Sequence, residues 1–320
     1  VGAYLIRRFF QSILVFFLVL VFTFSLPYFE PGGLNATAID ILGAHAPPAT
    51  IHAFNVQHGF TENYFVRLWQ YIDQLIFHGN LGYSYKSSQS VWAIIGIYVP
   101  RTIWLALFSL ILTIVIALPL GLFQAARRNS IFDYSATSVL FILYGVPAFL
   151  LCLLLETFFS YGITHLPPPP TNIDPFQIFT NPVPFILPIA ALTLLSLAFL
   201  SRFMRSAVLD VLVQDYIRTA KAKGCSEWRV LARHAFRNAM GPIIIILGVF
   251  LPGLLGGALI IEYSFNYQGL GYETVASALN LDTPTVLGIT LLVTIFTLGG
   301  NLLADVMLGI VNPRIRVEGK

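Results

Sequence analysis

The sequence predicts an all-α, polytopic membrane bundle of six transmembrane helices with an external segment after the first. Three observations predict it. Of the 320 residues 57% are hydrophobic and only 10% charged, whereas soluble domains carry about 25% charged residues. The charges are missing in blocks of about 20 residues, the length that crosses about 30 Å of hydrocarbon. Lysine and arginine also alternate between connections: fifteen of the eighteen fall on one set of sides. That asymmetry predicts a multi-pass cell-membrane protein with both termini cytoplasmic.

The spans are read at 9–29, 102–124, 135–159, 183–201, 241–262 and 284–308. The first follows Arg7 and Arg8 and is too long for the apolar core of a secretory signal. Asn35, Ala36, Thr37 and Ala38 make a poor cleavage site, so an uncleaved helix is expected. Asn35 and Thr37 also fit a glycosylation sequon. Residues 30–101 are too long for a connector and rich in aromatics, which predicts a small external subdomain or a cap on the membrane surface. Within it, 64–77 repeats apolar positions at helical spacing, as an interfacial amphipathic helix does.

The second span has no charge, and the third stays uncharged over 134–155, with Glu156 near its end. Pro119, Pro147, Pro188 and Pro252 interrupt spans, as membrane helices accept when neighbours satisfy the freed carbonyls. Pro167 to Pro170 form a stiff turn after the third. Gly253, Gly256 and Gly257 in the fifth permit close packing or local bending. The chain thus divides into 1–29, the external 30–101, and a core of 102–320 containing the loop 202–240.

Between the fourth and fifth spans, 202–237 holds eight basic residues against Asp210, Asp215 and Glu227. A short helix is expected from Asp215 to Lys223. Asp215 suits its start, Lys221 and Lys223 its end, and Gly224 stops it. Val213, Ile217 and Ala220 give it one apolar stripe. Such a helix suits docking into a groove on a partner protein; a solvated basic loop resting on anionic lipid headgroups is the other reading.

The residues of this loop carry a resemblance. Asp215, Tyr216, Ile217, Arg218, Thr219, Ala220, Lys221, Ala222, Lys223, Gly224, Cys225 and Ser226, continuing through His234 to Ala239, resemble the signature loop of ABC-importer permeases, in the dipeptide, oligopeptide and nickel branch. Arg218 replaces an acidic residue of the wider consensus, and Phe236 and Arg237 stand where the superfamily has leucine and proline. Other fragments follow the family in order: Tyr4 to Arg8, Gly79 to Ser84, Arg127 to Asp133, Gly269 to Gly271, Asn301 to Asp305 and Val311 to Arg316. Residues 34–60 depart from it.

The resemblance implies that residues 215–226 form the helix that couples the chain to an ATPase. It further implies a second homologous permease, two ATP-binding subunits and an extracytoplasmic solute-binding protein. ATP and magnesium would be bound by the partners, and no cofactor is expected in this chain. Membrane lipid is an expected partner and nucleic acid is not. Members of the branch are associated with di- and oligopeptides, nickel complexes, glutathione-like peptides and some oligosaccharides, which the permease alone does not separate.

Other residues carry weaker chemical signals. Tyr263, Phe265, Tyr267, Gly269 and Gly271 suggest an outer gate, with Tyr272 nearby, although an aromatic belt accounts for the rings as well. Glu156 and Glu262 lie near outer helix ends and read as interfacial. Asp305 reads as a contact of Asn312, Arg314 and Arg316. A gradient-driven secondary transporter using Asp305 or Glu156 is the alternative function. The six histidines lack paired helical spacing, so no metal site is expected, and Cys152 and Cys225 show no disulfide or zinc pattern. The chain has no phosphate-binding loop of the nucleotide-hydrolysing type, no His-Glu-x-x-His and no Gly-x-Ser-x-Gly, so it is not expected to be an enzyme.

Overall fold

The computed structural model describes residues 2–29, 35–43, 45–170 and 174–311. In chain order the helices are α1 (Gly2–Ser25), α2 (Ala36–Leu42), α3 (Pro48–Gln57), α4 (Tyr64–His78), α5 (Val91–Ala126), α6 (Ile131–Gly145) and α7 (Ala148–Leu155). Then come α8 (Gln177–Thr180), α9 (Ile186–Leu212), α10 (Asp215–Ala222), α11 (Glu227–Arg229), α12 (Phe236–Ser264), α13 (Leu270–Leu279) and α14 (Thr283–Val311). A two-stranded hairpin, β1 (Tyr83–Ser84) and β2 (Gln89–Ser90), precedes α5 with Tyr83 opposite Ser90. Among the described residues five helices are long and apolar enough to cross a membrane, and the bent pair α6–α7 makes a sixth.

Helix α5 runs 36 residues, about 54 Å at 1.5 Å per residue. It starts eleven residues before the expected span because Arg101 does not end it. That guanidinium is buried, donates to Gln268 O at 3.0 Å and lies 5.3 Å from the Tyr98 ring. Ser90 caps the helix instead, accepting from Ala93 N at 3.3 Å. The third span is also not the single rod expected. It turns by 106° between α6 and the helical stretch that ends at Ser160. Pro147 forces this, because the residue before a proline is pushed out of the helical region, and Val146 is extended (φ −74°, ψ 126°).

Helix α9 continues past residue 201 because its charges find partners. Arg202 stacks over Phe141 at 4.8 Å and Arg205 pairs with Asp133. One core joins α5, α7, α9 and α12 around Leu105, Phe185, Leu192, Ile261 and Phe265. A second, nearer the basic loop, gathers Leu118, Leu200, Met204, Val208 and Ile243. Gly121 lets α5 touch α9, since a Cβ there would stand 2.5 Å from Ser201 O. Close contact of this kind holds helices together in lipid, where the hydrophobic effect gives no help. The cluster at 252–257 lies outside the residues whose side chains are described.

Helix α4 matches the amphipathic reading. Asn63 caps it by accepting from Phe65 N, and Gly79 ends it at φ +61°. Its Phe65, Trp69 and Phe77 are exposed, as an interfacial helix requires. Tyr64 Oη lies 2.7 Å from Ser25 Oγ, and Arg67 donates to Tyr28 Oη at 3.0 Å. These contacts seat α4 on the end of α1. At the other end of α1, Arg8 Nε lies 3.4 Å from Asp305 Oδ2 of α14. Asn312, Arg314 and Arg316, the partners expected for Asp305, lie outside the described residues.

Candidate functional site

The basic loop folds as α10 followed by a turn at Gly224 and then α11. Gly224 takes φ +79°, the left-handed region that suits a helix stop. Ile217 and Ala220 are 1% and 8% exposed and pack on Val230, with Val211, Leu212 and Cys225 around them. The apolar stripe is therefore spent inside the chain and not offered to a partner, while Val213 projects outward. Asp215, Tyr216, Arg218, Thr219, Lys221, Ala222, Lys223, Gly224 and Ser226 are exposed. Arg218 and Asp215 approach at 3.5 Å, but a pair this exposed holds little energy and leaves both charges available. Trp228 stacks on Phe123 at 6.0 Å and ties the loop to the end of α5.

Beside this loop, Asp133 receives Arg205 Nε at 2.8 Å and Nη2 at 2.7 Å, and Asn129 N at 3.0 Å. The stretch from Arg127 to Asp133 thus serves as a turn that aims one carboxylate at α9. Gln124 extends the polar link, receiving Ser201 Oγ at 3.1 Å and donating to Thr137 at 3.2 Å.

At the opposite end, α5, α12 and α13 meet on a buried carboxylate. Glu262, expected at an interface, is fully buried. The reason is that its carboxyl oxygens have hydrogen-bond partners. It accepts from Thr102 Oγ1 at 2.6 Å, Gly271 N at 2.7 Å and Tyr272 N at 3.1 Å. Thr102 Oγ1 in turn accepts from Leu270 N at 2.7 Å. The first amides of α13, which have no partners within a helix, are met by these two side chains. Gly269 and Gly271 make the approach possible: a Cβ on Gly269 would lie 2.6 Å from the Glu262 carboxylate, and one on Gly271 would run into Leu259 Cα.

Of the residues read as an outer gate, this node contains all five. Phe265 and Tyr267 are buried, with Tyr267 donating to Arg101 O at 2.7 Å and packing edge-on against Phe185. Burial pushes the Tyr267 phenol up, so it stays a donor. Only Tyr263 is exposed, and it stacks with Tyr272 at 5.9 Å. Nearby Glu273 receives Ser277 Oγ at 2.9 Å, and burial pushes its carboxyl above the usual range. The stretch from Gly79 to Ser84 docks alongside: Ser84 donates to Asp282 Oδ2 at 2.6 Å, as does Thr285 at 2.7 Å, at the start of α14.

Among the described residues no group of three histidine, cysteine or acidic side chains could hold a metal ion. Glu262, Thr102, Ser84, Asp282 and Arg205 were not singled out for these roles by sequence. The one available signal was the glycine pair of 269 and 271 following Glu262 at short range.

Two family models match. The first, the inner membrane component of binding-protein-dependent transport systems, covers residues 117–317; its N-terminal companion covers 2–106. The chain belongs to this permease family. The oligopeptide transport system permease protein AppB of Bacillus subtilis is 34% identical over 317 residues, covering 98% of this chain and 99% of its own. The dipeptide permease DppB of the same organism is 33% identical over 73% of this chain and 74% of its own. The probable D,D-dipeptide permease DdpB of Escherichia coli is 32% identical over 93% and 92%. Among solved structures, the inward-facing MetNI methionine ABC transporter matches with a TM-score of 0.53 at 17% identity, over 69% of this permease and 97% of that chain. That likeness concerns the fold. The permease is a multi-pass membrane protein whose family uses ATP in separate subunits.

Proposed function

We propose that this permease forms half of the translocation path of an ATP-driven importer of di- or oligopeptides, and that α10 with residues through Ser226 is where an ATPase subunit docks. The observation that carries the reading is the division of α10. Its apolar face anchors it to its own chain, and its polar face stands clear at the bundle end. An anchored helix transmits a push; a loosely held one would absorb it. The names of the relatives support peptide as the solute class. A second permease, two ATPases and a solute-binding protein complete the assembly, and the charge bias supports termini and basic loop on the cytoplasmic side. At the far end, Tyr263 and Tyr272 are the rings free to meet solute, with Phe265, Tyr267, Gly269 and Gly271 holding them in place. No observation favours the gradient-driven reading, since Asp305 faces Arg8.

Gly224→Val tests the docking role. A Cβ at Gly224 meets nothing within 4 Å, so space is no obstacle, but φ +79° strains a branched residue by about 1–3 kcal/mol. With its partners in proteoliposomes, the variant is expected to insert normally yet lose peptide uptake and stimulated ATP hydrolysis by about tenfold or more. Unchanged uptake and unchanged stimulation would sink the assignment of α10.

A further inference from the structure

Where α4 and the hairpin meet the ends of α1 and α14, they frame a half-open cavity of about 330 Å³. Its polar side is set by α4. Arg67 and Tyr71 are one turn apart and therefore share a face, and both line the cavity with Gln70 and Gln74. The Arg67 guanidinium lies over three rings, Phe60 at 5.0 Å, Tyr28 at 5.5 Å and Phe24 at 6.0 Å. Among the described residues it gives one hydrogen bond, to Tyr28 Oη. Among the described residues no carboxylate pairs with it. A guanidinium has five N–H donors in a planar fork that matches an oxyanion.

Tyr71 supplies the independent observation. Its hydroxyl is buried and has no hydrogen-bond partner among the described residues. Buried hydroxyls are nearly always paired, and this one, in a residue that lines the cavity, is closed to water, so an acceptor reaches it only as the lining side chains move aside. Burial also pushes the phenol up, which keeps the proton on it. Phe24, Leu81, Pro284 and Leu287 form an apolar part of the wall, and His58, Asn80 and Thr283 add polar groups elsewhere.

We propose that this cavity binds an amphiphilic small molecule by its oxyanion, with Arg67 and Tyr71 as donors and the apolar wall against its body. Two sources share that chemistry: the phosphodiester of an anionic phospholipid and the terminal carboxylate of a short peptide. The site stands on the cavity and its donors, whichever solute the permease carries.

The full chain, purified with any subunits it retains, would be stripped of lipid and titrated with two matched pairs of probes. One pair is dioleoylphosphatidylglycerol against dioleoylglycerol, followed by native mass spectrometry. The other is alanyl-phenylalanine against its C-terminal amide, followed by calorimetry. At least one oxyanion probe is expected to bind about tenfold more tightly than its neutral match. Arg67→Gln should abolish that preference. Because Arg67 also packs against three rings, Tyr71→Phe is the cleaner variant. It removes an oxygen that holds nothing together, so it should raise the melting temperature of the stripped protein while weakening the preferred probe several-fold. Preference for the phospholipid assigns a lipid site, and preference for the free dipeptide assigns a peptide site. Equal binding of both members of each pair, or unchanged affinity in Tyr71→Phe, overturns the proposal.

Discussion

Glu262→Ala is expected to destabilise the permease by about 3–5 kcal/mol, measured as loss of the folded state on thermal or denaturant titration in detergent. The substitution strips an acceptor from Thr102 Oγ1, Gly271 N and Tyr272 N at once, in a place water does not reach. Glu262→Gln should cost less, since one amide oxygen can still accept, but its NH2 then faces a donor. Gly271→Ala attacks the same node from the other side by driving a methyl into the backbone of Leu259. Both changes dismantle one arrangement, so the double variant should cost clearly less than the two single losses combined. Additive losses, or a Glu262→Ala cost below about 1 kcal/mol, would show that α13 is held in place by other contacts.

The second large effect is expected at Asp133. Truncation to alanine leaves the Arg205 guanidinium without its two-pronged acceptor and Asn129 N without its own. Removing one member of a buried ion pair costs about 3–5 kcal/mol. The Arg205 side chain keeps 30% of its exposure, so water recovers part of that loss, and about 2–4 kcal/mol is expected here. Arg205→Lys should also destabilise, because an ammonium cannot reproduce the fork. Asp133→Ala together with Arg205→Met should recover stability relative to Asp133→Ala alone. Failure to recover would locate the damage in the 127–133 turn and not in the stranded charge.

Much of this architecture was legible in the chain. Long uncharged runs located the spans, because lipid tolerates no unpaired charge. The end of α10 was readable from Gly224, and the start of α4 from the spacing of its apolar residues. What was not legible depended on partners far away in sequence. Glu262 looked interfacial because an acid near a helix end usually meets water. Its burial required Thr102, 160 positions earlier, and backbone amides that no residue type reveals. The spans read from 102 and to 201 were too short for the same reason, since Arg101 meets Gln268 O and Arg205 meets Asp133. The apolar stripe of α10 was legible, but not that Ile217 and Ala220 pack on their own chain, since composition does not say whether such a face meets its own chain or another. Pro147 was recognised as an interruption, but not as a turn of 106°.

Helix α14 runs 29 residues, beginning just after Asp282, which accepts from Ser84 of the hairpin, and passing Asp305, which Arg8 of α1 approaches. Its length is about 44 Å. A rod pinned near both tips cannot slide along its axis without dragging what is fastened there. An axial shift of α14 would therefore be felt at the hairpin, whose Tyr83 lines the cavity beside Arg67.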